Sequence, residues 1–178
     1  VAALCRARGV PFILDASQSA GCLDVNMPRL GAAFAAMPGH KGLYGPQGTG
    51  LLLCGAGAEP LLEGGTGSLS SQQAMPEFLP DRLEAGTHNI PGAAGLLEGI
   101  KYVQSQGMEK ILAHERRLTL RAAEGLAGIP GVTVYADEKL ERQAGVLSFN
   151  VDGLDCETVG ETLGGQDIAV RAGLHCAP

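Results

Sequence analysis

The sequence lacks tryptophan altogether, and its aromatic residues amount to 4%. A core built from it must rest on Leu, Val, Ile, Met and Ala. Long runs of Lys and Arg are also missing, and the net charge is −6. Neither nucleic acid nor an anionic membrane surface is therefore an expected partner. No apolar run reaches the length of a membrane-spanning helix, and no secretory leader pattern is visible. Cysteine is sparse and unpatterned: Cys5, Cys22, Cys54, Cys156 and Cys176 share no metal-finger or redox-motif spacing. An odd, unpatterned set suggests reduced thiols and a cytoplasmic setting. Cys5, Cys22, Cys54 and Cys156 read as structural, with Cys5 and Cys54 inside apolar runs.

What is present is glycine, 27 residues of it, in a chain that is 45% hydrophobic. That combination indicates a globular α/β protein rich in tight loops. The 178 residues suffice for one to two domains. The chain opens at Val1 inside a helical stretch and closes at Pro178 just after a cysteine, which reads as part of a longer protein.

The densest loop signal is Pro38-Gly39-His40-Lys41-Gly42-Leu43-Tyr44-Gly45-Pro46, between the apolar runs 32–37 and 51–54. A lysine on a tight loop between two buried strands is open to desolvation, which exposes the neutral amine that imine chemistry needs. The alternative is an ordinary surface lysine. Upstream, Val10–Leu14 reads as a buried parallel strand ending on Asp15. Ligands of open α/β sheets gather at the carboxyl ends of strands. Asp15 is thus either a ligand-facing acid or a local cap, a job Ser17 also suits.

Further along, the segment Gly55–Asp81 reads as loop, of a length usually functional or interfacial. A helix is expected from about Pro91 to Gln106. A charged amphipathic helix follows over Met108–Ala127, with Leu112, Leu118, Leu120 and Leu126 as apolar positions. Strands at 131–135 and 145–151, a helix at 155–163 and a third strand at Ile168–Arg171 close the chain as a small α+β domain. The expected division is residues 1–107, the carboxyl-terminal part of a large domain, and 108–178, an incomplete small domain. His114 reads as a surface residue. Cys176 beside His175 is either an ordinary loop cysteine or a reactive thiol.

Four motifs in order, Asp15-Ala16-Ser17-Gln18-Ser19-Ala20-Gly21, Gly39-His40-Lys41, Glu84-Ala85-Gly86-Thr87 and Arg171-Ala172-Gly173-Leu174-His175-Cys176-Ala177, resemble the class V aminotransferase superfamily. Within it they are most similar to the cysteine desulfurase and selenocysteine lyase branch. The resemblance spans essentially the whole chain. It implies a type I pyridoxal-phosphate (PLP) fold: part of a large domain with a mostly parallel sheet and flanking helices, then part of a small α+β domain. It implies that Lys41 binds the cofactor covalently, that Asp15 pairs with the pyridine nitrogen, and that Gln18 bonds the phenolic oxygen. His40 is implied to contact the phosphate, and Thr87 the phosphate held by the other subunit of a homodimer. Cys176 is implied to be the nucleophile that takes sulfur from L-cysteine as a persulfide, leaving alanine. Arg171 and His175 would assist at the substrate, and a sulfur-acceptor protein would follow. Two residues before His40 the family pattern has Ser or Thr; here Pro38 has neither hydroxyl nor amide hydrogen. The resemblance leaves open a selenocysteine lyase or another class V lyase or transaminase. Without it, a non-catalytic binding or structural module stands as the reading from another class.

Overall fold

The computed structural model of the chain describes residues 1–69, 71–137 and 143–175. Two compact units divide it, Val1–Glu109 and Lys110–Pro178.

The first unit opens with helix α1 (Ala2–Ala7), strand β1 (Ile13–Asp15) and the short helix α2 (Met27–Leu30). Strands β2 (Phe34–Pro38) and β3 (Gly50–Cys54) and the long helix α3 (Ile90–Gln106) follow. The sheet order is β1-β2-β3. β1 runs parallel to β2, with Asp15 opposite Ala36. β3 returns antiparallel, with Pro38 opposite Gly50. Of the two pairings only one is parallel, because the lysine loop folds β3 straight back on β2 and leaves no room for a crossover helix. β1 has one neighbour, and this edge position leaves Ile13 63% exposed where a buried strand was expected.

The core is small-residued, as the scarcity of aromatics requires. Ala16, Ala20, Ala35, Met37, Leu43 and Leu96 are buried together, with Leu14, Met27, Leu51 and Ile100 against them. α3 starts where Asn89 accepts a hydrogen bond from the Gly92 amide at 3.0 Å, an N-cap with Pro91 in the first turn. Among the described residues, 55–81 hold neither helix nor strand. Arg82 fastens this segment, pairing with Glu59 at 2.8 Å and Glu77 at 3.0 Å and donating to the Ala58 carbonyl.

Helix α4 (Met108–Ala127) begins at the seam between the units. Its buried residue is Thr119, and Leu112, Glu115, Ala123 and Leu126 are half-buried around it. Leu118 and Leu120, expected on the apolar face, are 49% and 45% exposed. They flank Thr119 on either side, about 100° away around the helix. Strands β4 (Val132–Tyr135) and β5 (Ser148–Val151) pair antiparallel, and helix α5 (Cys156–Gly164) follows, capped by Asp155. The third strand expected at 168–171 is not formed. The Ile168 amide is already committed to the Leu163 carbonyl at the end of α5, at 3.0 Å.

Candidate active site

The sheet carries two of the predicted side chains to one edge. Asp15 is the last residue of β1, and Pro38 ends β2, its parallel neighbour. The loop bearing His40 and Lys41 and the turn bearing Gln18 therefore both leave from the carboxyl ends of adjacent parallel strands, the usual place for a ligand.

The turn after β1 winds helically from the fully buried Ala16, whose carbonyl accepts from the amides of Ser19 and Ala20. Asp15 accepts from the Ser17 amide at 2.9 Å. Hydrogen bonds from the Ser17 hydroxyl, then from its amide, hold the Asp15 carboxyl below its ordinary value of 3.8, and the positive charge of Lys41 adds to the effect. Of the two readings of Asp15, the local cap is what its hydrogen bond to the Ser17 amide forms. Ser17, considered from sequence only as a cap, is the partner whose hydrogen bonds lower the carboxyl's value most.

The lysine loop is closed by the Gly39 amide on the Thr49 carbonyl at 2.8 Å and the Gly45 amide on the Gly39 carbonyl at 2.7 Å. Inside that ring the Tyr44 amide bonds the Lys41 carbonyl at 2.9 Å, and Tyr44 takes a left-handed φ of 57°. His40 and Lys41 are both exposed. Of the two readings of Lys41, the solvent-facing lysine is the one its exposure matches. Gln18 and Thr87 are exposed as well. Among the described residues, the side chains of Gln18, His40, Lys41 and Thr87 make no hydrogen bond or ion pair. One carboxylate, one amide, one imidazole and one amine thus face solvent from the turns after β1 and β2 with only Asp15 partly committed, while Thr87 stands on the separate turn before α3. Such a donor set fits a ligand with a cationic ring nitrogen, an electrophilic carbonyl and a phosphate. Pro38 adds nothing toward the phosphate.

In the second unit Arg171 and His175 are exposed, His175 at a left-handed φ of 56°. Cys176 lies outside the described residues. Cys156, expected to be structural, is exposed at the start of α5, with Glu157 accepting from its thiol at 3.0 Å. Cys5 and Cys54 are half-buried free thiols. His114 is exposed and meets Arg117 at 3.0 Å. The cleft lined by Cys54–Glu59, Glu77 and Arg82 sits at the far end of β3 from the lysine loop, its one arginine neutralised by two glutamates.

Comparison with known proteins gives these groups a context. The Aminotransferase class-V family model matches residues 1–178. A probable cysteine desulfurase of Pyrococcus abyssi is 42% identical over 176 residues, covering 95% of the chain but 43% of that relative. The apo structure of a cysteine desulfurase from Thermococcus onnurineus superposes with a TM-score of 0.85 at 38% identity, covering 99% of the chain and 45% of that structure. A structure of C-DES with glycine covalently linked to its PLP cofactor matches with a TM-score of 0.76 at 27% identity, covering 95% of the chain and 47% of that structure. The chain thus spans under half the length of each of these.

Proposed function

The chain belongs to the class-V aminotransferase family, and from that premise we propose that it supplies the lysine and the thiol of a PLP-dependent cysteine desulfurase. The observation that carries the reading is topological: Asp15 and the loop bearing Lys41 leave the carboxyl ends of adjacent parallel strands. The fold is part of the type I fold of PLP enzymes, shared with the desulfurases it superposes on.

Bound PLP supplies an electron sink that allows bonds beside the substrate's amino carbon to break. The residues of this chain do the rest. Asp15, its carboxylate hydrogen-bonded by Ser17, would hold the proton on the ring nitrogen. Gln18 donates to the phenolic oxygen. His40 binds the phosphate, and Thr87 reaches the phosphate held by a second subunit, so that the working unit is a homodimer. Lys41 would hold the cofactor through its Nζ and, as a free amine, would move protons at the substrate carbons. Cys176, as a thiolate, attacks the sulfur of L-cysteine. The C–S bond breaks with its electron pair left on carbon, which then takes a proton, so alanine leaves and the sulfur stays as a persulfide. Arg171 and His175 supply positive charge for the substrate carboxylate and the thiolate. The persulfide then passes to an acceptor protein. Free thiols on Cys5, Cys54 and Cys156 suit a reducing, cytoplasmic compartment. No helix among the described residues is long and apolar enough to cross a membrane.

The experiment is a pair of variants in the full-length protein. Lys41→Ala abolishes the visible absorbance of the bound cofactor. Cys176→Ala keeps that absorbance and loses alanine and sulfide formation from L-cysteine. Undiminished sulfide release by the Cys176 variant would remove the thiol from the mechanism.

A further inference from the structure

The lysine loop rests on α3 through glycines, and the fit is too close for any side chain. A β-carbon on Gly99 would lie well inside contact distance of the Leu43 carbonyl oxygen and 2.7 Å from the Tyr44 carbonyl carbon. One turn further along the same helix, the ring of Tyr102 meets that of Tyr44 at 5.2 Å between centroids. Tyr44 is thus held twice, by its backbone on Gly99 and by its ring on Tyr102, and its amide closes the turn on the Lys41 carbonyl. On the opposite side Gly42 presses backbone to backbone on Ala20 and Gly21, in the turn that follows Asp15. Lys41 therefore sits between two fixed points, one on α3 and one on the Asp15 turn.

We propose that Gly99 is a positioning residue for Lys41: the bare backbone of α3 at this point sets how deep the Lys41–Tyr44 turn seats, and so where the amine stands relative to Asp15. The inference rests on the reading of Lys41 as the cofactor lysine, but it concerns a distance within the first unit that exists without the cofactor. Alanine favours a helix over glycine, so Gly99→Ala leaves α3 intact and transfers the collision to the loop. Gly95 provides a graded companion, since a β-carbon there would meet the Pro46 ring at 3.2 Å and ask only a small shift. Gly125, in α4, has nothing within 4 Å and serves as the control.

The test uses the full-length protein and its Gly99→Ala, Gly95→Ala and Gly125→Ala variants. Without cofactor, Lys41 is acylated by a water-soluble amine-reactive ester across a pH series and quantified by peptide mass. With PLP, the visible spectrum is titrated over the same range, and thermal melts report folding. Gly99→Ala is expected to melt cooperatively, to change the Lys41 labelling rate by at least about threefold and to displace its pH profile. Gly95→Ala changes both less and in the same direction, and Gly125→Ala changes neither. A folded Gly99→Ala with the parent's labelling profile overturns the inference. If Gly99→Ala does not melt cooperatively, Gly95→Ala decides: a parental profile there overturns it, and a displaced one upholds it. Borohydride trapping of the parent on Lys41 is read separately. Its failure would sink the cofactor reading, while the labelling result stands or falls by itself.

Discussion

At the scale of single residues the account turns on Asp15. Its carboxyl is held below the ordinary value of 3.8, first by the Ser17 hydroxyl, then by the Ser17 amide, with Lys41 adding to both. A carboxyl whose folded value is depressed contributes stability that is present above its unfolded value and lost as pH falls through the folded one. The window for Asp15 therefore lies on the acid side of about pH 4. Asp155 behaves alike, its carboxyl lowered by the Thr158 amide and hydroxyl. Carbon-13 titration of Asp15 is expected to give a midpoint below that of an unfolded peptide. Ser17→Ala is expected to raise that midpoint while the amide bond keeps it from rising fully; an unmoved midpoint would remove the hydroxyl from the account. Asp15 and the Lys41 loop stood out by position, at a strand end and among glycines, whereas a role for His40 came only with the family resemblance. Ser17 did not stand out, because a serine beside an aspartate looks the same in any turn. The exposure of Lys41 was legible only as one of two readings, since an apolar flank does not say on which side of the sheet the loop lies.

At the scale of elements one local device explains where strands begin later than their apolar runs. α1 ends on Gly9 at φ 64°, and the Val10 amide reaches back to the Cys5 carbonyl at 3.0 Å. α2 ends on Gly31 at φ 70°, with the Ala32 amide on the Met27 carbonyl at 3.1 Å. α5 is followed by Asp167 at φ 61°, with the Ile168 amide on the Leu163 carbonyl at 3.0 Å. Each is a left-handed residue followed by an amide bonded back to the helix, the Schellman arrangement. The first apolar residue of each following run thus belongs to a helix end. Val10 and Ala32 were read as strand starts, yet β1 begins at Ile13 and β2 at Phe34. At Ile168 no strand forms at all. Hydrophobic pattern shows that a run is apolar but not which carbonyl its first amide will find. Helices were read more closely: Asn89 and Pro91 mark the start of α3, and α4 spans Met108–Ala127 as its periodicity predicts. Gly9 has open space around the site of a β-carbon, so only its backbone angle resists substitution. Gly9→Ala is expected to cost about 1 kcal/mol in chemical denaturation, the penalty of a left-handed non-glycine residue. A neutral result would mean that the turn relaxes out of that angle freely.

At the scale of the whole molecule the two units differ in how well they bury themselves. The first holds a contiguous core around Ala16, Ala35 and Leu96, whereas the second buries little beyond Thr119 among its described residues, with Leu154, Ile168 and Leu174 exposed. The class of fold was legible because four short motifs occur in one order along the chain. The most direct test is to load the full-length protein with PLP, reduce it with borohydride and map the modified peptide. The account predicts a visible band that reduction bleaches and a single reduced adduct on Lys41. A protein that stays colourless, or an adduct on any other lysine, would contradict it.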